Sequence, residues 1–156
     1  MARLKEIVAT EEPISRAFLK KRCLTTFGIA KSGTKVESRL DSLIDACAFR
    51  RERALGNDYF YKNDRALSLE RFRVENGAVL RKTEDDFTPF EVIAFIRGAL
   101  EDRVALYMDE VMVILCNIFH VIRPGEKFTS FVRDCVSLGE EKGLFVRSVS
   151  DRISLA

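Results

Sequence analysis

Four side chains at helical spacing, Lys35, Ser38, Arg39 and Ser42, are best suited by type and order to meet a polyanion. Positions i, i+3, i+4 and i+7 share one side of a helix, so two cations and two hydroxyls fall on a single face. Such a set reaches phosphate oxygens through charge, and base edges through short donors and acceptors. Lys31 and Ser32 stand just before it, where the N–H groups of a helix start also point outward. Arg50, Arg51 and Arg53 follow, suited to backbone or minor-groove contacts, and Lys20-Lys21-Arg22 adds charge on the preceding helix. Against this stands an ordinary solvated surface, favoured by the acidic stripe of Glu37, Asp41 and Asp45 on the same helix.

Catalytic chemistry has less to work with. The single histidine, His120, closes a helix, and no phosphate loop, nucleophile elbow or zinc-protease motif occurs. Cys116 and His120 are four residues apart, but two further convergent ligands would be needed to hold a metal. Acidic pairs such as Asp85-Asp86 and Asp109-Glu110 have no specific partner. We therefore expect no enzyme, no catalytic residue, no cofactor, no metal and no small-molecule substrate.

The elements that position the basic face emerge from an internal repeat. Displaced by 92 residues, the chain aligns with itself without a gap from Leu4 to Cys47. Phe27 falls on Phe119, Gly33 on Gly125, Lys35 on Lys127, Ser38 on Ser130 and Lys31 on Arg123. Apolar positions keep step, as in Val8 with Leu100, Ile14 with Leu106, Leu19 with Val111, Val36 with Phe128 and Leu40 with Val132. Such agreement argues for one supersecondary unit used twice.

In the first copy, Arg3 to Glu11 reads as a short helix. Pro13 suits the first position of a second helix, whose buried face is Ile14, Phe18, Leu19, Cys23 and Leu24. Gly28 is a left-handed cap, and Val36, Leu40, Leu43, Ile44 and Cys47 mark the core side of a third helix. A turn at Leu55-Gly56-Asn57-Asp58 then precedes the aromatic strand Tyr59-Phe60-Tyr61. Helix, helix, turn, helix, hairpin is the winged helix-turn-helix order. The second copy reads as Glu91 to Asp102, Met108 to Phe119, Lys127 to Lys142 and a hairpin turning near Ser150-Asp151. There Arg39 has become Phe131, Ser42 Asp134, Lys20 Met112 and Arg22 Ile114, which suits a buried or interface role. Between the copies, Arg71 to Val74 and Ala78 to Leu80 flank Glu75-Asn76-Gly77 as a short ribbon, followed by the acidic run Glu84-Asp85-Asp86.

Composition supports this scale. A chain of 156 residues, 47% hydrophobic and 32% charged, suits one domain or two small ones. The net charge of +2 hides an asymmetry: 18 basic against 11 acidic residues in 1–82, then 8 against 13 in 83–156. A basic first half points to a polyanionic partner. The apolar run Val111 to Cys116 is far too short to span a membrane, and the first residues lack the apolar core of a signal peptide. Cys23, Cys47, Cys116 and Cys135 form no C-x-x-C pair and read as buried, reduced thiols of a cytoplasmic protein.

Three motifs carry a family resemblance: Glu12-Pro13-Ile14 ahead of a helix, Phe27-Gly28-Ile29-Ala30-Lys31-Ser32-Gly33, and Phe87-Thr88-Pro89-Phe90-Glu91. The last resembles an Ile-Pro-Pro-Glu-Glu helix start, without its paired proline and double glutamate. Over roughly residues 5–156 the chain resembles the C-terminal domain of large bacterial proteins related to superfamily I DNA helicases, a domain that follows a Vsr-like endonuclease domain. The resemblance implies an accessory module with helicase or nuclease domains as partners, and carries no catalytic residues across.

The expected fold is α+β, mainly helical with small β hairpins: two tandem winged-helix-like units at 1–62 and 88–156, joined by a connector at 63–87. The expected function is non-catalytic binding of DNA by the first unit through Lys31, Ser32, Lys35, Ser38, Arg39, Ser42, Arg50, Arg51 and Arg53. The alternative is a protein-docking module that binds no nucleic acid.

Overall fold

The apolar periodicity becomes helix at six places in a computed structural model, which describes residues 1–62 and 87–156 and the backbone of Val74–Glu75 and Ala78–Val79. The chain divides into two compact units, Met1–Leu67 and Ser68–Ala156, each a mixture of helices and small antiparallel sheets.

Unit 1 runs α1 (Ala2–Glu11), β1 (Ile14–Ser15), α2 (Arg16–Thr26), α3 (Thr34–Ala46), β2 (Arg50–Ala54) and β3 (Asn57–Tyr61). Pro13 is not the first residue of α2. It is joined to Glu12 by a cis peptide and leads into β1, so Ile14 is a strand residue. Ser15 then caps α2, its Oγ accepting from the Phe18 N–H at 3.2 Å. Strand β3 lies between β1 and β2, with Ile14 opposite Phe60 and Ser15 opposite Tyr59. The core joins Leu4, Val8, Ile14, Leu19, Ile44 and Phe60. Val36 does not belong to it: it stands 41% exposed near the start of α3, and Leu43 is only partly buried.

Unit 2 repeats this order. After the β4 (Val74–Glu75) and β5 (Ala78–Val79) ribbon come α4 (Pro89–Glu101), β6 (Leu106–Tyr107), α5 (Met108–Phe119), α6 (Glu126–Glu141), β7 (Phe145–Arg147) and β8 (Arg152–Leu155). The described part of the ribbon pairs Val74 with Val79 and Glu75 with Ala78, while the acidic run Glu84-Asp85-Asp86 lies outside the described residues. Helix α4 begins at Pro89, earlier than the Glu91 the sequence pattern gave. Thr88 and Glu91 form a buried capping box that fixes the start. Strand β8 lies between β6 and β7, with Leu106 opposite Ile153.

The 92-residue offset carries β1 onto β6 and the starts of α2 and α3 onto those of α5 and α6. It also carries the left-handed Gly28 (φ 69°) onto His120 (φ 54°). The same closing bond follows each, from the Ile29 N–H to Leu24 O at 3.0 Å and from the Val121 N–H to Cys116 O at 2.9 Å. Only glycine adopts this conformation without strain. Gly28→Ala therefore lowers unit 1 stability by about 1 kcal/mol, since a methyl there meets no neighbour and only the backbone objects. His120→Gly raises unit 2 stability by about 0.5 kcal/mol, relief of strain offset in part by unfolded-state entropy. Urea unfolding of the two variants measures both, and equal signs would contradict the pairing.

Candidate nucleic-acid interface

Helix α3 presents its basic face to solvent. Lys35, Ser38, Arg39 and Ser42 are all exposed and, with Thr34, line one shallow open depression. Gly33 is the N-cap of α3, and Lys31 is exposed in the turn before it. Among the described residues, the side chains of Lys31, Lys35 and Arg39 take no ion pair or hydrogen bond. The hydroxyls of Ser42 and Ser32 are less free. Ser42 donates to Ser38 O at 3.0 Å, and Ser32 donates to the Glu37 carboxylate.

The acidic stripe of α3 is paired to α2, although Asp45 stays exposed. Arg16, at the first position of α2, reaches Asp45 at 2.7 Å, Asp41 at 3.3 Å and Asp58 of β3 at 3.7 Å. Its guanidinium also lies 5.1 Å from the centre of the Phe60 ring. Lys20, one turn along α2, reaches Glu37 at 2.8 Å and Asp41 at 3.1 Å. Glu37, Asp41 and Asp45 thus form the acidic half of an ion-pair network that links the two helices. Its effect shows in the protonation equilibria. The hydrogen bond to Glu37 holds Lys20 above its ordinary pKa, and the bonds from Lys20 and Ser32 hold Glu37 below its own. Burial opposes the charge of Arg16, but Asp45 and Asp41 outweigh it and raise its pKa.

Two of the three cations of Lys20-Lys21-Arg22, which add charge on α2, are engaged inside the unit. Lys20 is committed to α3, and Arg22 pairs with Glu11 at 2.9 Å while lying over the Phe18 ring. Only interhelical geometry reveals this, because the partners lie 11 to 21 residues away in sequence.

On the hairpin, Arg50, Arg51 and Arg53 are exposed along β2, an edge strand of its sheet. The alternation of a strand divides them. Arg51 and Arg53 stand opposite Phe60 and Asp58, whereas Arg50 stands opposite Tyr61. Arg51 is drawn toward Asp58, at 3.6 Å, and Arg53 has no ion pair among the described residues. Sequence pattern missed Phe27 and Ile29, which are 67% and 40% exposed in the α2–α3 turn beside Lys31. Phe27 aligns with the buried Phe119, and that match concealed its exposure.

In unit 2 the counterparts of Lys31, Lys35, Ser38 and Ser42 are Arg123, Lys127, Ser130 and Asp134, all exposed, and those of Arg39, Lys20 and Arg22 are apolar and partly buried. Phe131, Met112 and Ile114 pack against the core. Cys23, Cys47 and Cys135 are buried, but Cys116 is only partly so, and all four are free thiols. Burial pushes the thiols of Cys23, Cys116 and Cys135 up, away from reactive thiolate. Among the described residues no group of three or more His, Cys, Asp or Glu could hold a metal ion, and no helix is long and apolar enough to cross a membrane.

No family model, curated protein or solved structure matches this chain.

Proposed function

We propose that each unit is a winged helix and that unit 1 is a non-catalytic nucleic-acid-binding module, taking DNA along α3 and β2. One observation carries this reading: Lys31, Lys35 and Arg39 stand exposed without intramolecular partners among the described residues, while the acids of α3 are already paired to α2. The helix therefore offers its cations free and its anions already paired. Ser38 and Ser42 lie among those cations, and Arg50, Arg51 and Arg53 continue the charge onto the hairpin. The winged-helix assignment draws on the twice-used order of helix, strand, helix, helix and hairpin, with the short strand joining the hairpin sheet each time. A helicase- or nuclease-containing parent protein enters the proposal on the sequence resemblance alone.

Contacts dominated by phosphate give weak, salt-dependent and poorly sequence-specific binding. Fluorescence anisotropy with labelled single- and double-stranded DNA across a salt series tests it. Four to five phosphate contacts give a slope of log affinity against log salt of about −4. Absence of binding at low salt would remove the reading and favour protein docking. That alternative draws on an apolar groove of unit 2 beside Met112, where Val113 is 59% and Ile122 93% exposed.

A further inference from the structure

We propose that Lys20 is an electrostatic positioning residue of the α3 surface, which touches no ligand and makes the helix attractive to a polyanion by keeping Glu37 and Asp41 engaged. The inference rests on the nucleic-acid reading above. Its basis is a geometric separation of charge on one helix. The cations Lys35 and Arg39 face solvent without partners among the described residues. Glu37 and Asp41, two residues further on from each, turn toward α2 and meet one ammonium, at 2.8 and 3.1 Å. The Lys20 side chain is only 19% exposed, so it is spent inside the unit and cannot reach outward at the same time.

Without Lys20, the Glu37 carboxylate would lose its cation and Asp41 would keep only Arg16, on the same helix that carries Lys35 and Arg39. Their field would oppose an approaching phosphate at a distance shorter than the screening length of physiological salt, about 8 Å. Arg16 would still hold Asp41 and Asp45 at the other end of the stripe. The uncovered charge would therefore be chiefly that of Glu37, which also accepts from Ser32 in the turn before α3. Lys20 thereby governs the polarity of the start of α3, where Lys35 stands and which Lys31 precedes.

The test compares duplex-DNA affinity of the full chain and four variants by anisotropy at constant salt. Lys20→Gln lowers affinity about three- to tenfold. Lys5→Gln, an equal change in net charge on the exposed side of α1, lowers it less than twofold. The triple variant Lys20→Gln/Glu37→Gln/Asp41→Asn, which lacks these ion pairs altogether, recovers wild-type affinity or exceeds it. A purely structural role for Lys20 predicts the opposite, since the triple variant has lost every bond the residue makes. Glu37→Gln alone, with Lys20 intact, raises affinity, and this holds the proposal to account should Lys20→Gln fold poorly. Failure of the triple variant to recover, or no gain from Glu37→Gln, overturns the proposal while wild-type binding stands. Absence of wild-type binding removes the underlying reading instead.

Discussion

Reversing two charges on α3, with Lys35→Glu and Arg39→Glu together, lowers duplex-DNA affinity by roughly 100-fold at low salt and flattens the salt dependence by about two units of slope. Both side chains are exposed and neither holds another residue in place among the described residues, so the variant should fold as the parent does. Glutamate at position 35 even favours the positive end of the helix dipole. The loss has two parts: two attractions disappear and two repulsions take their place. Net charge alone would produce some loss anywhere on the protein, and the control is an equal reversal in unit 2. Arg123→Glu with Arg133→Glu changes the total charge by the same amount on exposed positions that align with Lys31 and Asp41. It leaves affinity within about threefold of wild type if binding is local to α3. Equal losses from the two pairs would mean that DNA responds to diffuse charge and that no face of α3 is a site.

The second large effect concerns stability. Gly139→Ala in α6 destabilises unit 2 by about 2 kcal/mol, although alanine is the better helix former by about 1 kcal/mol. A methyl at this position would overlap the Cδ2 and Cε2 atoms of the Phe145 ring. Phe145 is 2% exposed and belongs to the core, so its ring has no free direction of retreat. Overpacking of this kind outweighs the propensity gain. Gly98→Ala in α4 provides the matched comparison, because nothing lies within 4 Å of a methyl there and the residue is exposed. It should stabilise by up to about 1 kcal/mol. Thermal unfolding would then move in opposite directions, with a fall of roughly 10 °C for Gly139→Ala. A Gly139→Ala variant as stable as the parent would show that the ring can move and that α6 and β7 are not packed as tightly as the contact implies.

Much of the fold was legible because apolar spacing reports burial directly. The 92-residue offset predicted from Ile14 with Leu106 and Leu19 with Val111 also aligns the strands and the starts of the paired helices. Strands β1 and β6 were hidden for a physical reason. Two residues show no alternation, and Ile14 fits a helical face as readily as a strand. Val36 fits the core by spacing, yet α3 starts at Thr34 and its first turn leaves Val36 exposed. The basic face of α3 was legible from four residues on one helix. The fate of its acidic stripe was not, since Arg16 and Lys20 belong to another helix and pairing between helices leaves no period in sequence. The feature on which the proposed site turns is therefore one of tertiary electrostatics.

In both three-stranded sheets the middle strand is the last one in sequence: β3 lies between β1 and β2, and β8 between β6 and β7. During vectorial synthesis the outer strands emerge first and have nothing to pair with. Ile14 must wait for Phe60, and Leu106 for Ile153, so each unit closes in a single late step after nearly all of its residues are made. The shortest piece of unit 1 able to fold alone must extend through Tyr61. A nascent chain cut before Asn57 would leave both β1 and β2 as unpaired edges, open to association with other chains.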